Sequence, residues 1–527
     1  MDQAGITRSA QVARASLILG TSTMVTLLVG FVKNKYSALL LGPTGLGLLS
    51  QATGFLTLLS LFCSLETGQG IIKLLAEGNS APRDGDTQKM RNEAVPREQI
   101  IKTALLLSIP LALLVAMLSV ILARPLAALI FDDPHYHMAI VLVSLGLPFQ
   151  VLFILLGVFL RGFREIKAYG RAVILSTTLN LIAFLLLAGF FNLWGALVAQ
   201  FVGTLVSSLT FYAYCRRRIA GPLLRTPDFG VSRLRKLPRM GLKFKIGHLQ
   251  PEIRAAKILL SFGLLSLAVV VTELTFNLIL RTGVVHHLGS AYNGLYQAVV
   301  SLSNQYLTFF SSLVSVYLYP LLCSSKTIHE YNDEMNSSLH FMTLLAIPMF
   351  CGLLLFKEDV IRILFSGKFL EAAPLIPLQV AGDYFKILAK VLTASLLPTG
   401  RLRAWVLFGL VYCTLYLGIS LFLLKTFHLK GLVIAYFLSN LIYVFILALF
   451  QVKVAKFKFY PQSVKTISLS LVLLTLIIHL PDTNLWYNLI KVGLVPVWLS
   501  LVVSLSEIRQ LVNWVRYKTL RIHTISD

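Results

Sequence analysis

Leu41-Gly42-Pro43-Thr44-Gly45-Leu46-Gly47-Leu48 and Leu288-Gly289-Ser290-Ala291-Tyr292-Asn293-Gly294-Leu295 share the spacing L-G-x4-G-L. A second pair repeats in the same order: Leu193-Trp194-Gly195 with Ala199, and Leu429-Lys430-Gly431 with Ala435. Between and around these motifs run long apolar stretches. A helix needs about 20 apolar residues to cross a bilayer core. On that template the chain has fourteen candidate spans, centred near Val25, Leu58, Leu113, Leu145, Leu181, Val202, Val269, Ser303, Leu345, Phe385, Leu410, Ile434, Leu471 and Leu494. The first motif precedes the second span and its echo precedes the eighth; the other pair opens spans six and twelve. Spans 1–6 therefore match spans 7–12 in order and with the same topology. That is a parallel repeat, with halves related by an axis along the membrane normal. The expected fold is an all-α polytopic membrane protein of about 14 transmembrane helices: two six-helix bundles and two additional C-terminal helices.

Composition agrees. Of 527 residues, 56% are apolar and only 13% charged, yet the formal net charge is +24. A soluble chain is about 25% charged, so a water-soluble fold of this length would lack polar residues to cover its surface. A greasy, basic chain has its charge confined to loops. Nucleic-acid binding is excluded because apolar runs separate the basic clusters. Intrinsic disorder is excluded by the apolar content. A disulfide framework is excluded because the five cysteines are odd in number and scattered through apolar segments.

Lys and Arg accumulate in cytoplasmic loops. Placing both termini inside puts the cluster Arg216 to Lys257 on the cytoplasmic side, together with most of the 47 basic residues. The first apolar stretch, from Arg14 to Val32, has no small-residue cleavage site after it and reads as a retained helix. The expected division is a six-helix lobe over 1–218, a basic interfacial linker over 219–255, a second six-helix lobe over 256–458, two further spans over 459–506 and a cytoplasmic amphipathic tail over 507–527. In the linker, Ser232-Arg-Leu-Arg-Lys-Leu-Pro-Arg-Met-Gly-Leu-Lys-Phe-Lys245 alternates basic with apolar residues, a pattern suited either to the headgroup boundary of membrane lipids or to a solvated connection.

Ionisable residues deep in a span are costly unless they face a cavity or a partner. The acids in such positions are Glu66, Glu273 and Asp383; the bases are Lys33, Lys35, Lys73, Arg281, Lys386 and Lys390. Asp383, Lys386 and Lys390 are spaced i, i+3, i+7 and make one stripe on a helix. Plain alternatives stand beside these candidates. Lys33, Lys35 and Lys73 could snorkel to headgroups, and Asp383 with Lys386 could be a pair that only makes insertion tolerable. If the candidates share a cavity, its sign is positive, which favours an anionic substrate. A two-lobed repeat with such charges is the build of an alternating-access transporter.

No engine or catalytic site is evident. The one Gly-Lys dipeptide, Gly367-Lys368, is followed by Phe369 and makes no phosphate loop, so no nucleotide partner is expected. His135/His137 and His286-His287 lack metal-ligand spacing, and no cofactor is expected. A membrane glycosyltransferase or polymerase would need a large outer loop with catalytic groups, and the loops near Asp132 and Lys357–Glu371 are short.

Four stretches carry a family resemblance: Lys35 followed by Leu41-Gly-Pro-Thr-Gly-Leu-Gly47; Gly294-Leu-Tyr-Gln297 with Ser303, Tyr306 and Tyr317 to Pro320; Arg161-Gly-Phe-Arg164; and Phe365-Ser-Gly-Lys-Phe369 with Gln379, Gly382-Asp383 and Lys386. In this order the chain resembles the bacterial polysaccharide-unit flippases, the O-antigen and enterobacterial-common-antigen translocases of the multidrug/oligosaccharidyl-lipid/polysaccharide exporter superfamily. The resemblance implies two six-helix bundles open alternately to either face of the bacterial inner membrane. It implies a polyprenyl-pyrophosphate-linked oligosaccharide as substrate, moved from inner to outer leaflet, with polymerase and chain-length machinery as potential partners and no enzymatic activity. By motif match, Lys35, Lys73, Arg281, Asp383 and Lys386 become cavity or gate candidates; Lys33, Glu66, Glu273 and Lys390 rest on span position alone. Many such flippases have twelve spans. The lipid-linked peptidoglycan-precursor flippases of the same superfamily have fourteen, which keeps that activity as the alternative, while a cation-coupled drug exporter of the same fold is disfavoured by the basic cavity.

Overall fold

A computed structural model describes residues 3–77, 96–163, 165–220, 253–325, 327–481 and 485–503. The basic stretch Ser232–Lys245, Arg164, the tail 507–527 and the side chain of Lys73 lie outside the described residues. The described chain is helical, with no strand. The helices are α1 (Gln3–Ser64), α2 (Gly68–Glu77), α3 (Arg97–Ile121), α4 (Ala123–Phe131), α5 (His137–Gly162), α6 (Ile166–Cys215), α7 (Ile253–Leu288), α8 (Ser290–Leu313), α9 (Ile328–Leu355), α10 (Lys357–Leu364), α11 (Ile376–Ala394), α12 (Leu402–Lys453), α13 (Pro461–His479) and α14 (Leu485–Val502).

Eight of the described helices are long and apolar enough to cross a membrane. Three of these, α1, α6 and α12, are each broken near the middle, at Gly42, Asn192 and His428. At 1.5 Å rise per residue, the 50 residues of α6 are long enough for two crossings of a core about 30 Å thick. Every one of the fourteen span centres lies in a helix. The segments that miss the hydropathy criterion include α8 and α11, and the reason is chemical: they carry Ser303, Tyr306, Ser311, Asp383, Lys386 and Lys390. Bulky apolar side chains cover the surface, with Phe190 at 77% exposure, Phe422 at 71% and Trp486 at 72%. In water such a surface would aggregate; in a bilayer it faces lipid tails. The protein is an all-α, multi-pass membrane protein.

The internal repeat is visible in the backbone. Asn192 (φ 49°, ψ −127°) and His428 (φ 54°, ψ −137°) stand immediately before the two L-x-G motifs. Both occupy a region that side chains rarely adopt. Each break turns the next residues back on the helix, so a β-carbon on Gly195 would lie 1.8 Å from the Leu187 carbonyl oxygen and one on Gly431 2.0 Å from that of Leu423.

By packing, the chain forms two compact units. The first comprises Met1–Gln297, Leu364–Lys368 and Gly409–Leu417; the second holds the remainder. α7 belongs to the first unit because it packs on α1 and α2. The first unit has an apolar core that includes Ile71, Leu75, Val151 and Leu155. Gly162 of the R-G-F motif seats α2: a β-carbon there would meet Leu75 at 2.8 Å. At the end of α4, Asp132 accepts from His286 at 2.7 Å, and the other ring nitrogen of His286 meets the Leu129 carbonyl at 2.8 Å. In the neighbouring loop the His135 backbone N–H and ring hold the Asp133 carboxyl below the usual carboxylate range. The cysteines are unpaired thiols.

The two L-G-x4-G-L motifs meet each other in this unit. Asn293 Nδ2 donates to the Gly47 carbonyl at 3.0 Å. A β-carbon on Gly294 would sit 1.8 Å from the Pro43 carbonyl oxygen, and one on Gly47 2.2 Å from that of Ser290. Backbone approach this close tolerates no side chain, as at small-residue helix contacts in membranes. Gly294→Ala must push α1 and α8 apart, at an overpacking cost of about 1–3 kcal/mol. Thermal unfolding of the purified protein should drop by several degrees. Gly54→Ala, in the same helix α1 with nothing within 4 Å, should leave it unchanged.

Candidate functional site

In the second unit, α11 is anchored at its C-terminal end by one buried amide. Gln451 Nε2 donates to the Leu392 carbonyl at 2.8 Å and to Ser395 Oγ at 2.7 Å, while its Oε1 accepts from Tyr331 Oη at 3.1 Å. The helix so held presents the stripe expected from its spacing. Asp383 is fully buried. Its carboxylate accepts from Ser303 Oγ at 2.7 Å and Tyr306 Oη at 2.5 Å, both on α8, and from Tyr436 Oη at 2.6 Å on α12. A buried carboxylate is tolerable only when hydrogen-bonded in this way. Gly382 makes room for the third donor: a β-carbon there would lie 2.6 Å from the Tyr436 ring.

One turn on, the Lys386 ammonium sits 5.4 Å from the centroid of the same Tyr436 ring, within cation–π range, and in the field of Asp383. A further turn on, Lys390 Nζ donates to Ser311 Oγ at 2.7 Å. Lys386 and Lys390 are half-buried. The arrangement is one acid held by three hydroxyls, with two ammonium groups extending along the same face. Such a face can offer charge-assisted hydrogen bonds to an anion.

The other candidates belong to the first unit. Arg281, half-buried at the end of α7, stands near the hydroxyls of Tyr296 and Tyr416, which bond each other at 2.8 Å. Lys33 places its ammonium 4.7 Å from the centroid of Phe184, at a polar cavity inside the unit. Lys35 is half-buried. Glu66 lies in the break between α1 and α2, with φ values of 53° at Leu65 and 47° at Glu66. It lines a cavity of about 230 Å³ with Arg161. Lys73 lies on α2, two residues from the fully buried Ile71 and Leu75. Glu273 is exposed on α7.

Tyr436, Tyr416 and Gln451 escaped the sequence reading. All three lie on α12, an apolar helix by composition, and each is distant in sequence from its partner. Gly382 beside Asp383 was the available hint, since a glycine next to an in-span acid signals a close neighbour.

The sequence profile of the polysaccharide biosynthesis protein family matches residues 12–326, more than half of the chain. The chain belongs to that family. Among characterised relatives, the Lipid III flippase of Escherichia coli K12 is 25% identical over 442 residues, spanning 82% of this chain and 96% of the relative. The corresponding protein of Shigella flexneri matches equally well. Among solved structures, the inward closed conformation of the Lipid II flippase MurJ superposes with a TM-score of 0.67 at 14% identity, covering 95% of this chain and all of that one. An inward-facing multidrug resistance transporter of the MATE family superposes with a TM-score of 0.62 at 12% identity, covering 81% of this chain and 93% of that one. These two likenesses concern the fold, which this chain shares with both transporters. The family profile spans Lys33, Lys35, Glu66, Lys73, Glu273 and Arg281; the Asp383 stripe lies beyond its end.

Proposed function

We propose that this member of the polysaccharide biosynthesis family flips a polyprenyl-pyrophosphate-linked oligosaccharide repeat unit from the inner to the outer leaflet of the bacterial inner membrane. It does so by alternating access, with both termini cytoplasmic. The observation that carries the reading is the α11 stripe. Two half-buried ammonium groups, Lys386 and Lys390, extend from a hydroxyl-clamped Asp383 in a helix that is otherwise apolar. A pyrophosphate esterified at both ends is a dianion, and cations desolvated in this way are its natural partners. Lys35 and Arg281 are the further positive candidates, in the first unit. The lipid tail remains in the bilayer while the head group crosses.

One observation favours a second reading. The lipid II flippase fold accounts for 95% of this chain, against 81% for the drug exporter. Carriage of a lipid-linked peptidoglycan precursor follows from that likeness. Deletion in the native host separates the two. Loss of one surface polymer in viable cells supports the repeat-unit reading. Lysis supports the peptidoglycan precursor. Viable cells with an unchanged envelope glycan profile overturn both.

A further inference from the structure

Lys33 lies on α1. Its ammonium lies over Phe184 at the wall of a cavity of about 210 Å³ within the first unit. Gln150, Asn180, Gln200 and Thr204 line the same space. Among the described residues Lys33 has no carboxylate partner. A half-buried cation without an anion is costly, and a costly group retained in a cavity signals a ligand.

The neutral groups around it are also incomplete. Asn180 donates from Nδ2 to Ser207 Oγ at 2.8 Å, but its Oδ1 is buried with no hydrogen-bond partner. Gln150 and Gln200 make no hydrogen bond among the described residues. The hydroxyls of Ser176 and Thr204 donate to the backbone carbonyls of Val173 and Phe201 at 3.1 and 2.7 Å, which leaves their lone pairs free to accept. The cavity therefore offers amide donors, several acceptors, one aromatic wall and one positive charge.

That inventory specifies its ligand by chemistry. Unpaired acceptors need a molecule bearing hydroxyls. Two open amides pair with hydroxyl or acylamino groups. The Phe184 wall suits the C–H face of a ring. One ammonium balances one negative charge, too few for a pyrophosphate. An apolar cavity of about 150 Å³ holds one benzene ring, so a polar one of about 210 Å³ is in the size class of one substituted six-membered ring. We propose that this cavity is a sugar-acid subsite: it takes one pyranose ring of the carried glycan and pairs that ring's carboxylate with Lys33. The proposal rests on the transport reading above and names a feature of its substrate.

The test uses the purified full chain in lipid nanodiscs, with thermal stabilisation read against free sugar in the millimolar range. Glucuronate should stabilise at least tenfold lower concentration than glucose. Lys33→Gln should abolish that difference without lowering the sugar-free unfolding temperature. Gly203→Val puts bulk against Asn180, which a β-carbon at Gly203 would already meet at 3.5 Å; it should weaken both sugars. Acetate and chloride at the same concentrations are the anion controls. Equal stabilisation by acetate or chloride would show a bare anion site and overturn the sugar assignment, as would equal stabilisation by glucose and glucuronate. These results are independent of the deletion phenotype. A deletion strain with an unaltered glycan defeats the transport reading, whereas equal binding of the two sugars defeats only the subsite.

Discussion

Lys386→Ala should remove at least nine-tenths of the exported glycan while its protein accumulates in the membrane at the wild-type level, and Lys35→Ala should do the same. Surface polysaccharide normalised to immunoblotted membrane protein is the measurement. The magnitude follows from the chemistry. A hydrogen bond to a charged group contributes about 1.5–3 kcal/mol, or about 10- to 150-fold in affinity. A transporter gains rate only from contacts that persist as the head group crosses. Lys386 is held near Tyr436 with its ammonium 5.4 Å from the ring centroid, so its position is set before any substrate arrives. Lys386→Arg keeps the charge and should retain part of the export, reduced by the different fork geometry. Normal export by both alanine variants would remove the cationic basis of the proposed mechanism.

How far these sites were legible depended on sequence distance. The G-D-x-x-K run is local, so its one-faced stripe follows from helical period alone. The repeated L-G-x4-G-L motif was legible as a repeat, but not as a contact. That Gly47 and Gly294 lie backbone to backbone requires the three-dimensional fold, although glycine is what such an approach demands. The helix breaks at Asn192 and His428 had no glycine or proline at the residue that bends, and hydropathy runs straight across them. Lys33 shows the same limit from another side. An ammonium near a span end is compatible with a headgroup or a cavity. Its cavity neighbours Asn180, Phe184 and Gln150 lie more than a hundred residues away, and each is ordinary in its own helix.

Asp383→Ala should reduce the amount of folded protein, and the reason separates function from mere tolerance of charge. The substitution leaves Ser303, Tyr306 and Tyr436 without their acceptor. An unsatisfied buried donor costs about 1–3 kcal/mol, and a domain is stable by only about 5–15 kcal/mol. Asp383→Asn keeps the shape and one carbonyl acceptor, so it should accumulate near the wild-type level and yet export less than a tenth of the glycan. The decisive variant is the neutral pair, Asp383→Asn with Lys386→Met. If the acid and the ammonium only neutralise each other for insertion, removing both charges together restores what either single change loses. The double variant would then export normally, with a coupling energy that cancels the single losses. If Lys386 is there for the anion and Asp383 for holding Lys386, Tyr306 and Tyr436 in place, the double variant accumulates well and still fails to export. We expect the second outcome. Three hydroxyls converge on this carboxylate from two other helices, so its lone pairs are satisfied without Lys386 and the ammonium is not what makes the buried acid tolerable.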